Sequence, residues 1–93
     1  MDSKVQHDEA SHKFFIQVDG KQATLEYQEG PGRWDFLHTY VPPEARGQGV
    51  ADVLVQHALD EARRRGLQFV PSCPFVRGFV ERHPQYQDGL ARV

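Results

Sequence analysis

Arg46 is followed by two glycines one residue apart, Gly47 and Gly49, and the pair leads into a segment with helical periodicity. Glycine has no Cβ, so this stretch can let a ligand approach the backbone closely. The first turn of a helix offers N–H groups without internal partners at the positive end of its dipole. Phosphate or pyrophosphate is the chemistry such a place suits, and Arg46 adds a fixed positive charge beside it. No Gly-Lys-Ser/Thr follows, which excludes a Walker phosphate loop. A dinucleotide fingerprint would need a third glycine where Asp52 stands, and too little chain remains for a second mononucleotide half. Taken alone, Gly47-Gln48-Gly49 is also compatible with a tight strand-to-helix turn that binds nothing.

Two other side chains have types suited to catalysis. His38 lies shortly before the glycine loop, and an ordinary imidazole titrates near neutrality, as a general base requires. Cys73 is the only cysteine. As a thiolate it is a nucleophile, and as a thiol it can protonate a leaving sulfur; a small buried hydrophobe is the plainer reading. A single cysteine cannot form an internal disulfide, which fits a reducing cytoplasm. His7, His12, His38, His57 and His83 lack metal-ligand spacing, so no metal site is expected.

The elements that must hold these residues follow from periodicity. Residues 1–11 read as a flexible polar tail, and residues 12–93 as a single domain. Phe14, Ile16 and Val18 alternate with polar neighbours, Asp19-Gly20 is a hairpin turn signal, and Ala23, Leu25 and Tyr27 resume the alternation. Glu29-Gly30-Pro31-Gly32 is a second turn. A third strand, Arg33 to Val41, carries Trp34, Phe36 and Tyr40, read as packing residues, and stops at Pro42-Pro43.

From Val50 the period becomes helical, with Val50, Val53, Leu54, His57, Ala58, Glu61 and Ala62 on one face and His57 expected in the core. The helix runs about 16 residues, roughly 24 Å. It closes with Arg63, Arg64 and Arg65, which suit the negative end of the dipole, and with Gly66 as a left-handed cap. Leu67 to Cys73 reads as a short strand, Phe75 to Arg82 as a second helix, and the last nine residues as irregular. The expected fold is α+β: a mixed, mostly antiparallel sheet of about four strands with a long crossover helix and a short C-terminal one.

Composition narrows the function classes. A net charge of −2 argues against nucleic acid as the main partner. The polar N-terminus has no secretory apolar stretch and no segment is long enough to span a bilayer, so neither export nor a membrane is expected.

The run Val41-Pro42-Pro43-Glu44-Ala45-Arg46-Gly47-Gln48-Gly49-Val50-Ala51 resembles the Arg/Gln-x-x-Gly-x-Gly/Ala motif of the GNAT N-acetyltransferase superfamily. The aromatic strand before it and the basic-ended helix after it stand in that superfamily's order. Phe14 to Pro84, with Pro71-Ser72-Cys73, is similar to a small single-domain subgroup. The resemblance implies a minimal GNAT fold using acetyl-CoA as cosubstrate, without a metal, to acetylate an amine. Arg46, Gly47, Gln48, Gly49, Val50 and Ala51 would hold the pyrophosphate, and Thr39, Tyr40 and Val41 would pair with the pantetheine arm. Cys73 and His38 are the catalytic candidates.

Two departures qualify the likeness. The last helix has no tyrosine to protonate the leaving thiolate, and Tyr86 lies beyond it. The helices that wall the acceptor site in larger relatives are replaced by Asp19-Gly20 alone, which implies an open site for a small molecule or a peptide or protein amine, in a monomer or homodimer. A coenzyme-binding module that has lost catalysis and acts as a sensor or interaction protein is the alternative function.

Overall fold

The computed structural model describes residues 4–91. In chain order the elements are β1 (Gln6–Asp8), β2 (Lys13–Val18), β3 (Lys21–Gly30), β4 (Arg33–Tyr40), a 3-10 turn (Pro43–Ala45), α1 (Val50–Arg64), β5 (Gln68–Pro71), α2 (Pro74–Arg82) and a second 3-10 segment (Pro84–Gly89). The five strands lie in sequence order in one sheet. Neighbours are antiparallel except β4 and β5, which the α1 crossover makes parallel. The fold class is the one expected, with a fifth strand. That strand, β1, comes from a segment whose polar composition reads as a tail.

Local signals explain most of the framework. Asp19 and Gly20 both have positive φ, 50° and 80°, the pair a type I′ hairpin needs. Alternation puts Phe14, Ile16, Ala23, Leu25, Tyr27, Trp34, Phe36 and Phe69 on one buried face. Helix α1 covers it with Val50, Leu54, Val55, Ala58, Leu59 and Ala62. Full burial of side chains such as Leu54 or Phe36 contributes about 1.5–3 kcal/mol each.

The helix is rotated from the face expected of it. Val53 is 40% exposed, and His57 is exposed too, not a core histidine. Burying Val55 and Leu59 in place of His57 spares that imidazole desolvation, while Glu61 stays half-buried against Arg64 and Arg65. Tyr40 also differs from the packing role expected of it: it is 44% exposed.

The C-terminal end of α1 closes firmly. Gly66 has a φ of 72°, and the Leu67 N–H donates to the Ala62 carbonyl at 2.8 Å. Arg65 pairs with Glu61 at 2.7 Å and with Glu9 at 2.8 Å, and its guanidinium lies 5.2 Å from the centroid of the Trp34 ring. The arginine turn, expected to be solvated, thus anchors the chain just after β1. On β1 itself His7 stacks on Phe14 at 4.0 Å and its Nε2 is 2.6 Å from the Tyr27 hydroxyl.

Strand β4 carries one irregularity, and it decides which side chains face inward near its end. Glu26 pairs with His38 while Tyr27 pairs with Phe36, so Leu37 is an extra residue, a β-bulge. The inward series Trp34, Phe36 therefore continues at Thr39, opposite buried Leu25, and not at His38. At the far edge of the sheet Leu90 bridges to Phe69, and the Ala91 N–H donates to the Phe69 carbonyl at 2.9 Å. Among the described residues no helix is long and apolar enough to cross a membrane.

Candidate active site

The β4/β5 ladder ends at the pair Phe36 and Pro71, with one further bond from the Cys73 N–H to the Phe36 carbonyl at 2.9 Å. Beyond it, Leu37 to Tyr40 have β3 on one side and no β5 partner on the other. A strand edge left open in this way offers backbone N–H and C=O groups to an extended ligand. A cleft of about 550 Å³ opens beside it.

Strand β4 supplies His38, Thr39 and Tyr40 to the wall, and Val41 is next along the chain. The loop supplies Ala45, Arg46, Gly47 and Gly49. Val50, Ala51 and Asp52 come from the first turn of α1, and Phe75 from α2. Nine of the eleven residues singled out from sequence therefore line one cavity. Gln48 and Cys73 do not.

The loop geometry is specific to glycine. Gly47 and Gly49 have φ of 82° and 78°, where other residues are strained. A Cβ on either would meet no atom within 4 Å, so conformation and not internal crowding calls for glycine. Gly49 starts α1, its carbonyl accepting the Val53 N–H at 3.1 Å, and no side chain caps the N–H groups ahead of it. Arg46 donates from Nε to the Val41 carbonyl at 3.1 Å, which leaves its two terminal nitrogens without a partner among the described residues. Gln48 turns its amide to the Glu44 carbonyl at 3.4 Å, away from the cleft. Lys21 holds Glu44 at 2.7 Å and so ties the loop to the start of β3.

At the rim, Asp52 is paired with Arg82 of α2 at 3.3 Å. Asp52, Ala45 and Phe75 are lining residues that sequence reasoning missed. Asp52 directly follows Ala51, the last residue assigned to the loop, and that adjacency was the available signal. Phe75 had a weaker one, as a large apolar residue two past Cys73.

Cys73 stands at the start of α2, two residues beyond the end of β5, and not at the strand end where it was expected. It is only 5% exposed. Its Sγ lies 3.2 Å from the Thr39 Oγ1. Burial pushes the thiol up, but the Thr39 hydroxyl and the N–H groups of Val76, Phe75 and Thr39 outweigh it and leave the thiol below its ordinary value. Those amides favour the charged sulfur without forming a cap hydrogen bond to it.

His38 is exposed, and its register partner Glu26 places its side chain on the sheet face opposite Thr39. The two catalytic candidates thus stand on opposite faces of β4. Tyr86 is buried and donates to Asp60 at 2.7 Å; burial and that carboxylate push its hydroxyl up to about 12. It does not line the cleft and holds its proton firmly. Phe79 is core, with His83 stacked on it at 4.0 Å.

Known proteins are similar to this chain in sequence and in fold. The profile described as GCN5-related N-acetyl-transferase matches residues 13–89. Protein NATD1 of Bos taurus is 33% identical, over 94% of this chain and 81% of its own length. Protein NATD1 of Danio rerio is also 33% identical, over 94% of this chain and 84% of its own. A solution structure of a GCN5-like candidate N-acetyltransferase from Staphylococcus aureus superposes with a TM-score of 0.76 at 28% identity, covering 98% of this chain and 90% of that one.

Proposed function

Since the chain belongs to the GCN5-related N-acetyltransferase family, we propose that it moves an acetyl group from acetyl-CoA to an amine, with the coenzyme in the cleft beside β4. The observation that carries this reading is the conjunction of two features: the open edge of β4 and the uncapped, glycine-led start of α1 on one cavity wall. The pyrophosphate lies on the N–H groups of Gly47 to Ala51, within reach of the free end of Arg46. Gln48 contributes its backbone alone, since its side chain is turned away. Thr39, Tyr40 and Val41 pair with the pantetheine amides.

His38 is the one histidine lining the cleft, and we assign it the proton released by the attacking amine. Cys73 serves the coenzyme sulfur. With only two residues joining β2 to β3, no helix walls the acceptor, which suits a peptide or protein amine better than a small molecule. We expect a cytoplasmic monomer or homodimer. A second reading, a coenzyme-binding sensor without catalysis, draws on the withdrawn positions of Cys73 and Tyr86.

Titration calorimetry with CoA and acetyl-CoA tests the cleft. Binding is expected, and loss of it in Gly49→Val; no binding at high micromolar ligand would sink the assignment. Release of free thiol in the presence of a peptide and polyamine panel separates the enzyme from the sensor.

A further inference from the structure

The acid proposed for the coenzyme sulfur is not at the surface of the cleft. Cys73 is 5% exposed and absent from the lining, whereas its hydrogen-bond partner Thr39 is part of the wall. Thr39 occupies that position because of the bulge at Leu37; in an unbroken register His38 would face inward there. The extra residue in β4 thus puts a hydroxyl between the sulfur and the cavity.

Building on the acetyl-transfer reading, we propose that Thr39 is a proton relay: its hydroxyl hands a proton to the departing coenzyme sulfur and takes one from Cys73. In the step, the amine nitrogen bonds to the acetyl carbon and the carbon–sulfur bond breaks, its electron pair remaining on the coenzyme sulfur. That sulfur takes the hydroxyl proton of Thr39 as the hydroxyl takes the thiol proton of Cys73. The proton on the new amide nitrogen leaves through His38 to solvent. Solvent restores Cys73 through the same hydroxyl, and the sulfur never carries the acetyl group.

Three features support the relay. Sγ and Oγ1 are 3.2 Å apart and either can donate, as a two-way relay requires. Once Cys73 is a thiolate only the hydroxyl can donate, and the α2 amides steady the charge left behind. A thiol held below its ordinary value is a competent acid toward a coenzyme thiolate of ordinary basicity, near pKa 8.5 for free thiols.

Thr39→Val keeps shape and strand preference while removing the hydroxyl. Its kcat is expected to fall about 100-fold, the scale of a lost proton transfer. The KM for acetyl-CoA and the calorimetric CoA affinity should stay within about twofold, as neither contact is removed. Thr39→Ser should restore most of the rate. The double variant with Cys73→Ala should be no slower than the slower single variant, since both break one path. In the unliganded chain, alkylation of Cys73 by iodoacetamide should shift to higher pH in Thr39→Val and return in Thr39→Ser.

Wild-type kcat in Thr39→Val beside an impaired Cys73→Ala overturns the relay and leaves acetyl transfer standing. A wild-type chain that binds CoA but releases no thiol overturns both. An acetyl adduct on Cys73 by intact mass shows that the sulfur reaches the thioester itself, and also overturns the relay.

Discussion

Helix α1 begins at Gly49 in the left-handed region, uncapped, with the unpartnered end of Arg46 beside it, and it ends under Arg65, which is bonded to Glu61 and Glu9 and laid over Trp34. At the cleft end, backbone groups and apolar side chains stand open; Tyr40 and Phe75 line the cavity, and Leu37 is exposed on the same strand. At the other end His7, Phe14, Tyr27 and Trp34 close on one another, and the charges of Arg65, Glu61 and Glu9 are paired. The paired charges and stacked rings gather at the closed end, while the N–H groups at the start of α1 have no side-chain cap.

That division can be broken from either side. Trp34→Ala removes the largest ring of the closed end and should cost about 3–5 kcal/mol in denaturant unfolding, while the fraction still folded binds CoA with unchanged affinity. A loss of affinity beyond that expected from unfolding would mean the two ends are coupled. Gly89→Ala would place a Cβ 2.6 Å from the Phe69 ring. Overpacking there should cost about 1–3 kcal/mol, again without touching coenzyme affinity. Arg46→Ala is the mirror experiment. Calorimetry should record at least a tenfold loss of CoA affinity, about 1.4 kcal/mol, with thermal stability nearly unchanged.

The smallest effect sharpens the closed end by pH. The hydrogen bond from Arg64, then that from Arg65, holds the Glu61 carboxyl at about 2 against the opposing effect of burial, from an ordinary 4.5. A carboxyl lowered on folding gives stability that is present above 4.5 and lost as pH falls towards about 2. Glu61→Gln should flatten that part of the acid-unfolding curve. His7 adds a separate window. Burial, the largest cause, lowers it below 6.5 in the fold, so stability declines as pH falls through 6.5, and His7→Phe should remove that slope.

What was legible in the chain was local. Asp19-Gly20, Pro42-Pro43, Gly66 and the period change at Val50 each act within a few residues, and each did what its chemistry demands. The glycines after Arg46, singled out by spacing alone, lie on the wall of the cleft. The bulge at Leu37 was not legible, because it depends on how β3 and β4 come into register, and it moved His38 to the far face. Strand β1 was hidden because Gln6–Asp8 carries no apolar alternation; His7 stacking on Phe14 and Arg65 gripping Glu9 hold it from outside. Tyr86 could not be placed because its partner, Asp60, is 26 residues away on another element.

The segment that ends the described chain has a consequence for assembly. Leu90 and Ala91 occupy the outer side of Phe69, and β5 finishes in a proline that has no N–H to offer. That margin of the sheet is already filled by the chain's own backbone. The opposite margin, three residues of β1, is open. Apart from the short open stretch of β4 at the cleft, a further strand from a second copy or an extended peptide therefore finds its free outer margin at β1. At the outer margins of the sheet, strand addition is open at β1 and blocked beside β5.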